Sequence, residues 1–157
     1  MIWLFWVALG VAQESSDIEA TRAFSGDAAA VMQVLSDVER LPALFPPTCT
    51  RKWDGKGAGI GSRFEVTYTM GWWKRRLEAT VTRVDSHQGV EWEHHGRKGF
   101  ITRWTVEPSE EGGLIRVKTW MQPPPWPFKR TYYRRIKPKW ELCYRQALDV
   151  LVQQVGE

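Results

Sequence analysis

Cysteine and histidine are scarce in this chain, with two of the first and three of the second among 157 residues. Cys49 and Cys143 make neither a disulfide framework nor a metal set. No CxxC or Cys/His spacing occurs, which excludes a zinc-stapled or cystine-rich domain. There is no GxSxG or comparable nucleophile motif, and neither cysteine has a histidine in evident partnership. Long apolar runs are missing too. The longest, residues 1–12 (MIWLFWVALGVA), is too short to span a bilayer. The glycine-rich stretch GKGAGIG at residues 55–61 lacks the strand–turn–helix setting of a phosphate loop and reads as a β-turn. Acidic residues are absent over residues 112–140, where eight basic ones occur. No metal and no cofactor are expected.

What is abundant is tryptophan, ten residues of it. Trp is costly to expose, so ten imply a generous apolar interior, an aromatic docking surface, or both. The length suits one domain, large enough to fold without staples. The net charge of +4 hints weakly at anionic partners. Residues 1–16 are set apart as an apolar N-terminal segment, and residues 17–157 as the folded domain. The segment has the length of a signal-peptide core, with Gly10-Val11-Ala12 offering a small-residue cleavage site, although a positive n-region is missing. Cleavage there implies an exported or periplasmic protein; a mis-assigned start or buried extension implies a cytoplasmic one. A membrane-associated tail is the third reading.

Along the domain, residues 17–24 alternate as a first strand, and Ser25-Gly26-Asp27 caps a helix ending near Asp37. A second short helix is expected over residues 38–45, stopped by Pro46-Pro47. Thereafter the period is two. Residues 49–54 make a short strand; Phe64, Val66, Tyr68 and Met70 then alternate with polar neighbours. So do Leu77, Ala79 and Val81; Val90, Trp92 and His94; Phe100, Thr102, Trp104 and Val106; and Ile115, Val117, Thr119 and Met121. Short links between these strands predict an antiparallel meander. Residues 136–155 switch to helical period, with Ile136, Trp140, Cys143, Tyr144, Ala147, Val150, Leu151 and Val155 on one face. Leu142 and Gln154 are misfits, Pro138 suits the first turn, and Gly156 can close the end.

One strand, two helices, about six strands and a long C-terminal helix resembles the START-like superfamily, also called SRPBCC, with its polyketide cyclase/dehydrase-type members. The matching stretches are Phe24-Ser25-Gly26-Asp27 through Val34-Leu35-Ser36-Asp37, Leu41-Pro42, Gly59-Ile60-Gly61-Ser62-Arg63-Phe64, Gly89-Val90-Glu91-Trp92, Trp104-Thr105-Val106-Glu107-Pro108 and Gly112-Gly113. The resemblance implies an α+β helix-grip fold, a curved antiparallel sheet of about seven strands wrapped around the last helix. It also implies a cavity between them for an apolar small molecule or lipid, with binding as the expected function and transfer as an extension of it. With strand parity, the expected lining is Tyr68, Met70, Trp92, His94, Thr102, Trp104, Met121, Trp140 and Tyr144. The superfamily shares no catalytic residues.

No inward strand position carries Asp or Glu, so no carboxylate pair is available, and no catalytic residues are assigned. His94 should point inward, His95 outward, and His87 lies in a turn. A binding protein is expected rather than an enzyme. A cyclase/dehydrase-type enzyme using His94 or Tyr68 as its acid is the alternative, as is a module acting through a basic rim. That rim follows from strand direction, because alternate turns of a meander share one end. It comprises Trp72, Trp73, Lys74, Arg75, Arg76, Arg97, Lys98, Trp126, Phe128, Lys129 and Arg130. An anionic membrane surface is its expected partner rather than nucleic acid, and a monomer is expected.

Overall fold

The computed structural model describes residues 18–70, 73–85, 88–96, 99–121 and 124–156, without the Trp73 side chain. The apolar segment, Trp72, Arg97, Lys98 and His87 therefore lie outside the described residues. Seven strands form a single antiparallel sheet: β1 (Ile18–Phe24), β2 (Thr50–Lys56), β3 (Arg63–Met70), β4 (Trp73–Asp85), β5 (Gly89–His94), β6 (Phe100–Ser109) and β7 (Gly112–Trp120). Their order is β1-β7-β6-β5-β4-β3-β2, a meander whose last strand is flanked by the first. The sheet curls into a half-barrel about the C-terminal helix, the α+β helix-grip arrangement. Two register shifts interrupt the ladders, between Arg51 and Asp54 and between Val81 and Arg83. Irregularities of this kind increase twist and bend a strand.

Helix α1 (Ala28–Ser36) starts where Asp27 accepts a hydrogen bond from the Ala29 amide, and it buries Val31, Met32, Val34 and Leu35. The expected second helix is shorter than its pattern suggested. Only a 3-10 turn, Leu41–Ala43, forms, with Pro42 in its first turn and Pro46 soon after. Leu41, Leu44 and Phe45 are buried nonetheless. The glycine-rich stretch begins inside β2, which holds Gly55 and Lys56, and turns only over residues 57–61. Gly57, Gly59 and Gly61 take φ of 96°, 82° and 88°, which suit glycine. The amide of Gly59 bonds to the Ser36 carbonyl at 3.0 Å, docking the turn on the end of α1.

The C-terminal helix begins eight residues before the expected Ile136. Helix α2 (Phe128–Thr131) runs through a π-helical turn, Tyr132–Ile136, into α3 (Lys137–Gly156). Pro138 thus lies inside a continuous helix rather than opening it. It has no N–H for the Arg134 carbonyl, and the widened turn lies directly ahead, with the Lys137 amide reaching back to Tyr132. Trp140, Cys143, Tyr144, Ala147, Leu148 and Leu151 are buried, whereas Leu142, off the stripe, is half exposed. Although two cysteines make no framework by count, they are joined in one disulfide between Cys49, just ahead of β2, and Cys143 on α3, 94 residues on.

Candidate ligand site between sheet and helix

The nine residues expected to line a cavity are all buried, none more than 7% exposed. Strand register sets most of them in rows. His94 lies opposite Ala79 and Phe100, Trp92 opposite Val81 and Thr102, and Trp104 opposite Val90 and Val117. Helix α3 lays Trp140 on Tyr68, with ring centroids 4.7 Å apart, and sets Tyr144 edge-on to Trp104 at 6.0 Å. Met70 ends β3, and Met121 follows β7. The rings make a continuous chain of contacts, Tyr68–Trp140–Tyr144–Trp104–Trp92–Phe64, so aromatic side chains occupy the space between sheet and helix.

Three residues absent from the expected lining pack among these nine. Phe100 stacks on His94 at 4.0 Å. Thr119 links Thr102 (3.0 Å) to the Tyr144 hydroxyl (2.6 Å). Tyr132 donates to the Met121 sulfur at 3.6 Å, tying the helix start to the end of β7. Phe100 and Thr119 share the parity of their neighbours and were legible in the sequence. Tyr132 precedes the helical pattern and carried no signal.

Polar groups in this interior fall into two clusters. The Thr102–Thr119–Tyr144 chain is one. The other is Tyr68 and His94, whose hydroxyl and Nε2 are 2.7 Å apart. Burial pushes the His94 imidazole down to about 3; the Phe100 backbone offsets part of this, and His95 adds to it. Burial likewise raises the Tyr68 phenol, with Tyr144 reinforcing it, and raises Tyr144 against the opposing hydrogen bonds from Thr119 and Thr102. The interior is therefore uncharged at neutral pH. With Tyr68 donating to Nε2, the imidazole proton rides on Nδ1. The Phe100 backbone faces that side of the ring, whereas the indole N–H groups of Trp92 and Trp104 are buried with no hydrogen-bond acceptor among the described residues. His95 points outward, as expected, with Nε2 2.7 Å from the Thr80 hydroxyl. No group of three or more potential metal ligands occurs among the described residues.

The sequence profile of the family described as "Polyketide cyclase / dehydrase and lipid transport" matches residues 15–156. The chain belongs to this family. No curated protein matches it closely enough to count as a relative. Among solved structures, the KanY protein (ms6282) is similar with a TM-score of 0.76 at 19% identity, over 88% of this chain and 96% of that one. TTHA0849 from Thermus thermophilus is similar at 0.72 and 13% identity, over 88% and 95% of the two chains. CV1439 from Chromobacterium violaceum follows at 0.64 and 18%, over 91% and 99%. These likenesses concern the fold. The family description carries binding of the polyketide or lipid kind as a general expectation for its members.

Antiparallel pairing also fixes the two ends of the sheet. Strands β3, β5 and β7 finish, and β4 and β6 begin, at one end. Of the expected rim, Lys74, Arg75 and Arg76 stand at that end near the start of β4, and Arg76 pairs with Glu65 at 2.6 Å. Tyr132, anchored to Met121, brings the helix start to the same end, with Trp126, Phe128, Lys129 and Arg130 exposed just before it. Tyr68, His94 and Phe100 also sit toward this end of their strands.

Proposed function

We propose that the protein binds an uncharged, largely apolar molecule carrying acceptor oxygens, seated between the sheet and α3. The observation that carries this reading is the pair of indole donors facing no acceptor, Trp92 Nε1 and Trp104 Nε1, in an interior otherwise built of rings. A buried donor left unpaired costs about 1–3 kcal/mol, and a carbonyl or ether oxygen on a ligand would recover it. A charged ligand finds no counter-charge there, because His94 and both tyrosines are neutral. Membership of a polyketide and lipid family supports the same class. The rings of Trp140, Tyr144 and Trp104 must part to admit the ligand, so binding is coupled to rearrangement of the helix-facing side chains.

The test compares a polycyclic aromatic ketone with a hydrocarbon of equal ring count by intact-complex mass spectrometry. Trp104→Phe keeps a ring but removes the N–H, and should weaken ketone binding roughly 2- to 10-fold, the worth of about 0.5–1.5 kcal/mol for one hydrogen bond. Hydrocarbon binding should hold. Equal loss for both, or no retention of either by the wild type, would defeat the reading.

The buried Tyr68–His94 pair favours a second reading, an enzyme of the cyclase/dehydrase kind in which this pair passes a proton to or from a bound ketone. Turnover of a bound polyketone, lost in Tyr68→Phe while binding persists, would separate it from simple carriage.

A further inference from the structure

Several arginines of this surface meet carboxylates: Arg103 pairs with Glu91, Arg76 with Glu65 and Arg22 with Asp149. At the start of the C-terminal helix three arginines without such partners among the described residues converge instead. Arg130, Arg134 and Arg135 line one groove of about 560 Å3 with Thr131, and no ion pair engages any of the three among the described residues. The nearest acidic residue along the helix, Glu141, pairs with Lys137 at 3.8 Å. Like charges gathered at helical spacing oppose the fold, so the cluster makes physical sense with an anion outside the chain. Beside it stand three exposed aromatics, Trp126 at 86%, Phe128 at 61% and Tyr133 at 39% exposure. Large apolar rings held in water beside uncompensated cations suit the headgroup layer of an anionic bilayer. There rings enter the interface and arginines meet phosphates.

We propose that this segment, residues 126–135, docks the protein peripherally on anionic membranes. Docking is a surface event, since no helix among the described residues is long and apolar enough to cross a membrane. It goes beyond the ligand reading and stands without it, although the surface lies at the end of the sheet nearest Tyr68 and His94. A single-stranded nucleic acid would also offer phosphates. The exposed tip is as much proline and ring as cation, with Pro125, Trp126, Pro127 and Phe128 in sequence, and this favours the interface of a bilayer.

Flotation of the full chain with phosphatidylcholine vesicles, with and without phosphatidylglycerol, tests the proposal. Binding should require the anionic lipid. It should fall as salt rises from about 0.01 M to about 1 M, where the screening length shrinks from about 30 to about 3 Å. Arg130→Gln, Arg134→Gln and Arg135→Gln together should weaken it on the order of 100-fold, and Trp126→Ala with Phe128→Ala should also release the protein. All five positions are exposed, and an unchanged melting temperature would confirm that each variant folds. A charge-matched control, Lys56→Gln, Arg63→Gln and Arg83→Gln at the opposite end of the sheet, should leave binding intact. Equal loss in the control, indifference of the wild type to anionic vesicles, or binding of single-stranded RNA without vesicle binding would overturn it. The vesicle assay needs no cargo, so failure of the ligand reading leaves its outcome unaffected.

Discussion

Acidification should unfold this protein earlier than its surface charges alone would, and His94 is the reason. In the fold its imidazole is neutral and titrates only near 3, whereas in the unfolded chain it titrates near 6.5. Between those values the unfolded chain binds a proton that the native state refuses, so stability falls as pH falls. Above pH 6.5 the contribution is complete; below it the loss is about 1.4 kcal/mol per pH unit. At pH 4.5 that amounts to about 3 kcal/mol, a large share of the 5–15 kcal/mol typical of a domain. Urea unfolding from pH 8 to pH 4.5 would measure it. Carboxylates titrate in the lower part of that range, so the decisive quantity is the difference between wild type and His94→Gln, which can still accept from Tyr68 but takes up no proton. The two curves should diverge with the stated slope below pH 6.5 and run parallel above it. Parallel curves throughout would mean that the imidazole is hydrated or charged in the native state, and the account of an uncharged interior would fail.

Reduction of the Cys49–Cys143 bond releases a loop spanning 94 residues and should cost at most ~4–5 kcal/mol by the loop-entropy relation. Unfolding with and without reductant would show it, and an unchanged midpoint would mean that the bond is absent in solution. Trp140 is fully buried against Tyr68, Phe100 and Tyr144. Trp140→Ala should therefore lose ~3–5 kcal/mol, and a loss below about 1 kcal/mol would show that the rings are loosely packed.

Much of the fold was readable because a half-buried sheet writes its geometry as a period of two. Tyr68, Trp92, His94, Phe100 and Trp104 declared their faces through their neighbours, and the turns between them declared the meander. The disulfide was not readable, since its partners lie on a turn and a helix whose approach depends on the whole sheet. The true helix start was hidden by Pro138, which by itself signals a first turn and is tolerated inside only through the widened turn before it. The Tyr68–His94 and Thr119–Tyr144 bonds depend on side-chain reach across elements, which no local pattern encodes. The Arg130, Arg134 and Arg135 cluster was visible as composition, yet its convergence on one groove is a matter of helical geometry.

The π-helical turn at Tyr132–Ile136 acts as a phase adjuster. Relative to an uninterrupted α-helix it accommodates about one extra residue, equivalent to a rotation of about 100°. Residues after the turn are locked in azimuth by the core, through Trp140 and Tyr144. Residues before it, Phe128 to Thr131, are aimed by the adjuster instead. Closing the turn into regular α-helix with all its residues kept would swing the exposed segment by about 100° relative to the buried stripe. Loss of one residue within the turn would instead restore a regular helix with both flanks in place. The turn therefore sets the direction in which the protein presents its exposed end, independently of the phase of the buried stripe.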